Sequence, residues 1–133
     1  MANNATNYLE NKVLDHVLGQ TVRDYISPTL YVGLFTDDSV VDIEAGTGTE
    51  PTGGAYVRKP VTFGAASAGS ATNSGAVTFD AATADWGLIE YAGIFDAESG
   101  GNALFVGQLT VSKTVTNGDT FQISTGQLTV SLN

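Results

Sequence analysis

The sequence predicts a mainly β protein: an antiparallel β-sandwich of jelly-roll type with one N-terminal α-helix. Three observations carry this. The run 117–132, NGDTFQISTGQLTVSL, reads as turn, alternating strand, turn, alternating strand. The same grammar recurs upstream, where short apolar-alternating segments are separated by Gly, Asn, Asp and Ser. Only one stretch, near the N-terminus, carries the three-to-four-residue apolar spacing of an amphipathic helix.

That helix is predicted over residues 7–18. Asn7 with Glu10 three residues on forms an N-cap with a capping-box partner. Leu9, Val13 and Val17 recur every four residues, with Leu14 and Leu18 beside them, and make one apolar stripe. The polar face carries Glu10, Asn11, Lys12 and Asp15, and Gly19 is a natural stop. Residues 20–29 form a connector, with Val22, Tyr25 and Ile26 able to add a helical turn before Ser27-Pro28 ends it. Residues 1–29 are thus read as helix and connector, and 30–133 as the sandwich, together one compact domain.

The strands follow in order. Residues 30–36 are a near-continuous apolar run, as a central strand requires. Residues 37–52 read as a long loop, acidic first and then rich in Gly and Thr. Residues 55–63 alternate, with Val57, Val61 and Phe63 on one face, and Pro60 marks an edge or bulge. Residues 64–74 are a small-residue linker, and Val77 and Phe79 sit on a short strand. Residues 86–95 are read as the longest strand, with Leu88, Ala92 and Ile94 on one side and Ile89, Tyr91 and Phe95 on the other. Apolar residues on both faces predict cover from both sides, by a helix or a neighbouring subunit. Residues 104–111, 120–124 and 127–132 complete about seven strands at sandwich-like spacing. The expected core includes Leu34, Val61, Phe63, Phe79, Ile94, Phe105, Phe121 and Val130.

Composition restricts function. The 133 residues suit one core. Fourteen acidic against five basic residues give a net charge of −9, which repels phosphate and anionic lipid, so neither nucleic acid nor membrane is an expected partner. No N-terminal signal sequence and no apolar run of membrane-spanning length is read. With no Cys there is neither disulfide nor thiolate metal site.

No catalytic residue, metal site or cofactor is expected. His16 is the one histidine, and Asp15 beside it points elsewhere on a helix. Asp37, Asp38, Asp42 and Glu44 are the nearest approach to a set of hard-cation oxygens, yet their spacing is not that of a calcium loop. The carboxylates of Asp96-Ala97-Glu98-Ser99-Gly100-Gly101 are explained by turn chemistry. Nothing in the spacing of Asp80, Asp85 and Glu90 brings two carboxylates across a cleft. Arg58 and Lys59 suit either an open surface or the acidic loop of a neighbouring copy.

A series of motifs then carries a resemblance. These are LDHVLG (14–19), YVGLFTDD (31–38), GTE (48–50) leading to GGAYVR (53–58), VTFGAA (61–66), ATADWG (82–87), GIFDA (93–97), GNALFVG (101–107), GDTF (118–121) and LTVSL (128–132). They recur along nearly the whole length of the chain, which resembles a family of small tailed-bacteriophage virion structural proteins commonly labelled tail-fibre-like. Asp42-Ile43-Glu44 extends the loop after Asp38, a departure from that pattern. The resemblance implies a non-enzymatic protein of the virion, whose partners are copies of itself and phage capsid or tail proteins. A capsid decoration (cement) subunit is the first expectation; a tail fibre, baseplate or adaptor component that contacts the host receptor is the alternative. The stripe Leu9, Val13, Leu14, Val17 and Leu18 is the expected interface.

Overall fold

The computed structural model describes residues 2–19, 29–36 and 40–132. Along the chain run β1 (Ala2–Ala5), α1 (Asn7–Val17), β2 (Leu30–Phe35), α2 (Val40–Glu44), β3 (Lys59–Val61), β4 (Ser70–Thr72), β5 (Val77–Thr78), β6 (Gly87–Phe95), β7 (Ala103–Val115), β8 (Gln122–Ile123) and β9 (Thr129–Ser131). The protein is mainly β with a short N-terminal helix, as its alternation predicts. Five strands form one antiparallel sheet in the order β1-β7-β6-β2-β3. The facing layer is two ribbons, β4 with β9 and β5 with β8.

The chain passes from one layer to the other just after β3, where Gly64 N–H bonds Thr72 O and Ser74 N–H bonds Thr62 O. Small residues let it turn there, and the linker expected over 64–74 contributes β4 to the second layer. Asn73 ties the ribbons together. Its buried amide donates to Gly75 O (2.7 Å) and Ser124 O (3.1 Å) and accepts from Leu128 N–H (2.9 Å).

The core lies between the layers. Val32, Leu34, Ile89, Ala92, Ile94 and Val115 meet Val77, Phe79, Phe121, Ile123 and Leu128. Of the expected core, Leu34, Val61, Phe79, Ile94 and Phe121 are buried, while Phe63, Phe105 and Val130 are partly buried against it. The outer face of the sheet holds a second cluster, Phe35, Tyr91, Phe95 and Val106, covered by Ile43 of α2. Two-sided burial of β6 is therefore met within the chain. The stretch 37–52 is not all loop: Val40 and Ile43, three apart, form one helical turn whose apolar side seals that face. A helix of five residues is too short to show a period in sequence.

The sequence reading needs four further corrections. The longest strand is β7, thirteen residues, not β6, nine. Ile89 joins Ala92 and Ile94 in the inner core, and Leu88 is 46% exposed. The cause is a bulge: Ile89 pairs Lys113 but Tyr91 pairs Gln108, so residues 109–112 of β7 stand opposite Glu90 alone. Such a register shift moves the following side chains to the other face. Val57 is exposed rather than aligned with Val61, because Gly53, Gly54 and Ala55 all have positive φ and curl the chain before β3 begins.

Helix α1 starts one residue earlier than Asn7 as N-cap requires. Thr6 is extended (φ −77°, ψ 158°), its Oγ1 accepts from Leu9 N–H at 3.3 Å, and it donates to Ala103 O at 2.6 Å. Pairing of β1 with β7 brings the chain in extended as far as Thr6, whose N–H still bonds Leu104 O. Asn7 is therefore already helical. The helix ends at Leu18 and Gly19 (φ 70°).

Candidate functional site

The stripe of α1 is only partly used by the fold. Leu9 packs into the body at 3% exposure, while Val13 is 36%, Leu14 54%, Val17 72% and Leu18 66% exposed. The helix thus stands on the sandwich by its first turn and carries its apolar residues outward. Beside it, against the end of β9, runs an open groove of about 600 Å³ with Leu9, Val13, Leu14 and Leu132 among its walls. Leu132 is itself 59% exposed. Among the described residues no helix is long and apolar enough to cross a membrane.

A second constellation lies where the sheet's outer face meets two loops. Arg58 makes a two-pronged ion pair with Glu50, Nε to Oε1 at 3.0 Å and Nη2 to Oε2 at 2.7 Å. Its Nη1 donates to Ala97 O (2.9 Å) and Gly100 O (2.7 Å), and its guanidinium carbon lies 3.5 Å from the centre of the Phe95 ring. Tyr56 donates its hydroxyl hydrogen to Glu50 Oε1 (2.6 Å), and its oxygen accepts from Leu34 N–H (2.8 Å). Burial, followed by the bond to Glu50, holds the Tyr56 phenol well above its ordinary pKa of 10.0. Cavities of about 390 and 670 Å³ flank the pair. The first is lined by Tyr8, Glu44 and Asn102 among others, the second by Pro51, Val57 and Glu98.

Asp96-Ala97-Glu98-Ser99-Gly100-Gly101 is tied to this centre. Its inward carbonyls already accept from a guanidinium, and Asp96 accepts from Asn102 N–H (2.7 Å) and Asn102 Nδ2 (3.1 Å). Arg58 is thus an internal cation, not one reserved for a neighbouring copy. Lys59 pairs with Asp80 at 2.8 Å. Glu50, Arg58 and Tyr56 were not expected from sequence to act together. The signal was the rarity of a basic residue beside aromatic ones in so acidic a chain.

The remaining candidates scatter. Asp37 and Asp38 lie outside the described residues; Asp42 is exposed on α2, and Glu44 ends that helix half-buried. Among the described residues no three His, Cys, Asp or Glu side chains gather as metal ligands. Asp85 accepts from Asn117 N–H, Asp80 holds Lys59, and His16 is exposed in the last turn of α1. Among the described residues no buried side-chain nitrogen or oxygen lacks a hydrogen-bond partner.

No curated protein matches the chain. Residues 4–131 match the family described as Podophage GP4 fiber I protein gp80, which spans both the exposed helix and the Glu50–Arg58 centre. With that match running over almost its whole length, the chain belongs to the podophage GP4 fiber I protein gp80 family, a family of phage virion fibre proteins.

Proposed function

We propose that the chain is a non-enzymatic structural subunit of a phage tail fibre, attached to its neighbours in the virion through the apolar stripe of α1. The observation that carries this is the helix itself. Val13, Leu14, Val17 and Leu18 are exposed on an element that the sandwich does not need for its own core. The fibre description of the family supports the tail-side alternative over the capsid decoration subunit that the sequence put first. The polar groups support a structural role: they are spent on holding loops, as Arg58, Glu50 and Asn73 show, and do not converge on a reacting centre.

Gold-labelled antibody against the chain, viewed on intact virions, tests this reading. Label confined to the tail at a few copies per particle is expected. Label spread over the shell in high copy number would restore the decoration reading. Virions assembled with Val17→Asp and Leu18→Asp chains are expected to lose the label while the purified variant keeps its melting temperature.

A further inference from the structure

We infer that the groove beside α1 is built for a basic amphipathic segment of a different protein, and not for a second copy of this chain; the inference rests on the attachment role given to α1. The walls are apolar, as Leu9, Val13, Leu14 and Leu132 show, but among the described residues both charged side chains that line the groove are carboxylates, Glu10 and Glu44. Glu10, assigned by sequence to the polar face, stands three and four residues before Val13 and Leu14 and lines the groove with them, so any partner that covers the stripe also covers Glu10. Neither carboxylate has an ion-pair partner among the described residues.

Burying an unpaired carboxylate is strongly unfavourable, so the occupant has to bring cations to these two positions. A second copy would bring Glu10 and Glu44 of its own on a chain of net charge −9. Like charge would then face like charge at the centre of the contact. A segment with apolar residues on one side and Lys or Arg flanking them satisfies both walls and rim. The eleven residues of α1 extend over about 16 Å, which suits a partner helix of about three turns. In such a contact the apolar residues supply affinity, and the charges select partner, orientation and encounter rate.

The probe is a fluorescein-labelled fourteen-residue peptide of Leu and Lys in amphipathic helical order, titrated with the full chain and read by fluorescence anisotropy. The same peptide with Glu for Lys is the comparison. Binding of the Leu/Lys peptide is expected, weakening as salt rises, with no binding of the Leu/Glu peptide. Glu10→Lys with Glu44→Lys should weaken it at least about tenfold, whereas Asp85→Lys with Glu98→Lys, the same charge change away from the groove, should stay within about twofold. Leu14→Asp should abolish it, with circular dichroism unchanged.

Absence of binding, equal binding of the Leu/Glu peptide, or equal loss in the two double variants would overturn the inference. So would a concentration-dependent dimer in sedimentation that Leu14→Asp dissolves, since the occupant would then be a second copy. Virion position is read separately by the gold label, so a failure here with tail label retained discards the partner's chemistry and leaves the fibre role standing.

Discussion

Arg58 shows how this acidic chain uses its few cations. The Arg58 side chain is 9% exposed, and its guanidinium donates to Glu50, Ala97 O and Gly100 O. Its planar fork matches those directions in a way that a lysine ammonium does not. Arg58→Ala would leave a partly buried Glu50 without its countercharge and two carbonyls without their donor, and should cost about 3–5 kcal/mol. A fall in melting temperature of roughly 10 °C or more checks it, and Arg58→Lys should recover only a small part. Tyr56 supplies a pH dependence on the same centre. Its phenol is neutral in both folded and unfolded chains below the ordinary pKa of 10.0. Above that, the unfolded chain releases the proton and the folded chain holds it, so stability must fall as pH rises, by at most about 1.4 kcal/mol per pH unit for this group. Denaturant unfolding between pH 9 and 11 should show a shallower decline for Tyr56→Phe than for the parent chain.

At the scale of elements, the start of α1 is set by a strand partner from far along the chain. Thr6 ends the pairing of β1 with β7, caps the helix and donates to Ala103 O, all while buried. Thr6→Ala should therefore cost about 0.5–2 kcal/mol, and Thr6→Ser much less. Asn7→Ala, at an exposed position already inside the helix, should change little. Urea unfolding of the three variants separates Thr6 from Asn7 as the cap. Helix α2 closes the sheet's outer face. Phe35 and Phe95 lie flat enough to press on glycines: a Cβ on Gly93 would meet Phe35 at 2.8 Å, and one on Gly33 would meet Phe95 at 2.5 Å. Small residues on the sheet are what let α2 close over this face with Ile43.

For the whole molecule, the core divides unequally between the two faces of one sheet. The inner cluster holds Phe79, which stacks on Tyr56 and meets Trp86 and Phe121 edge-on, with ring centres 5.8–6.2 Å apart. Phe79→Ala and Phe121→Ala should each cost about 3–5 kcal/mol. Phe105→Ala should cost clearly less, because Phe105 is only partly buried at the margin of that cluster. Thermal melts of the three variants give the ranking. The ribbons of the second layer and the sheet thus form a body complete without α1 beyond its first turn. This is why changes at Val17 and Leu18 are expected to affect docking and leave folding intact.

Local patterning determined a good deal by itself. Alternation and turn residues predict β2, the ribbons β5, β8 and β9, and the mainly β class. The four-residue recurrence from Leu9 to Val17 predicts α1 and its apolar stripe, and the spread of motifs points to a phage virion family. These properties arise within a few residues of each other, so sequence spacing reports them. Tertiary structure alone decided the rest, because each remaining feature is a relation between distant segments. The four-residue bulge in β7 put Ile89 in the inner core against simple alternation. The pairing of Ala2–Ala5 with β7 moved the N-cap to Thr6. Glu50, Arg58, Phe95 and the carbonyls of Ala97 and Gly100 converge from two loops and a strand end. Most of the stripe of α1 is exposed because the sheet and ribbons already fill the interior with their own side chains.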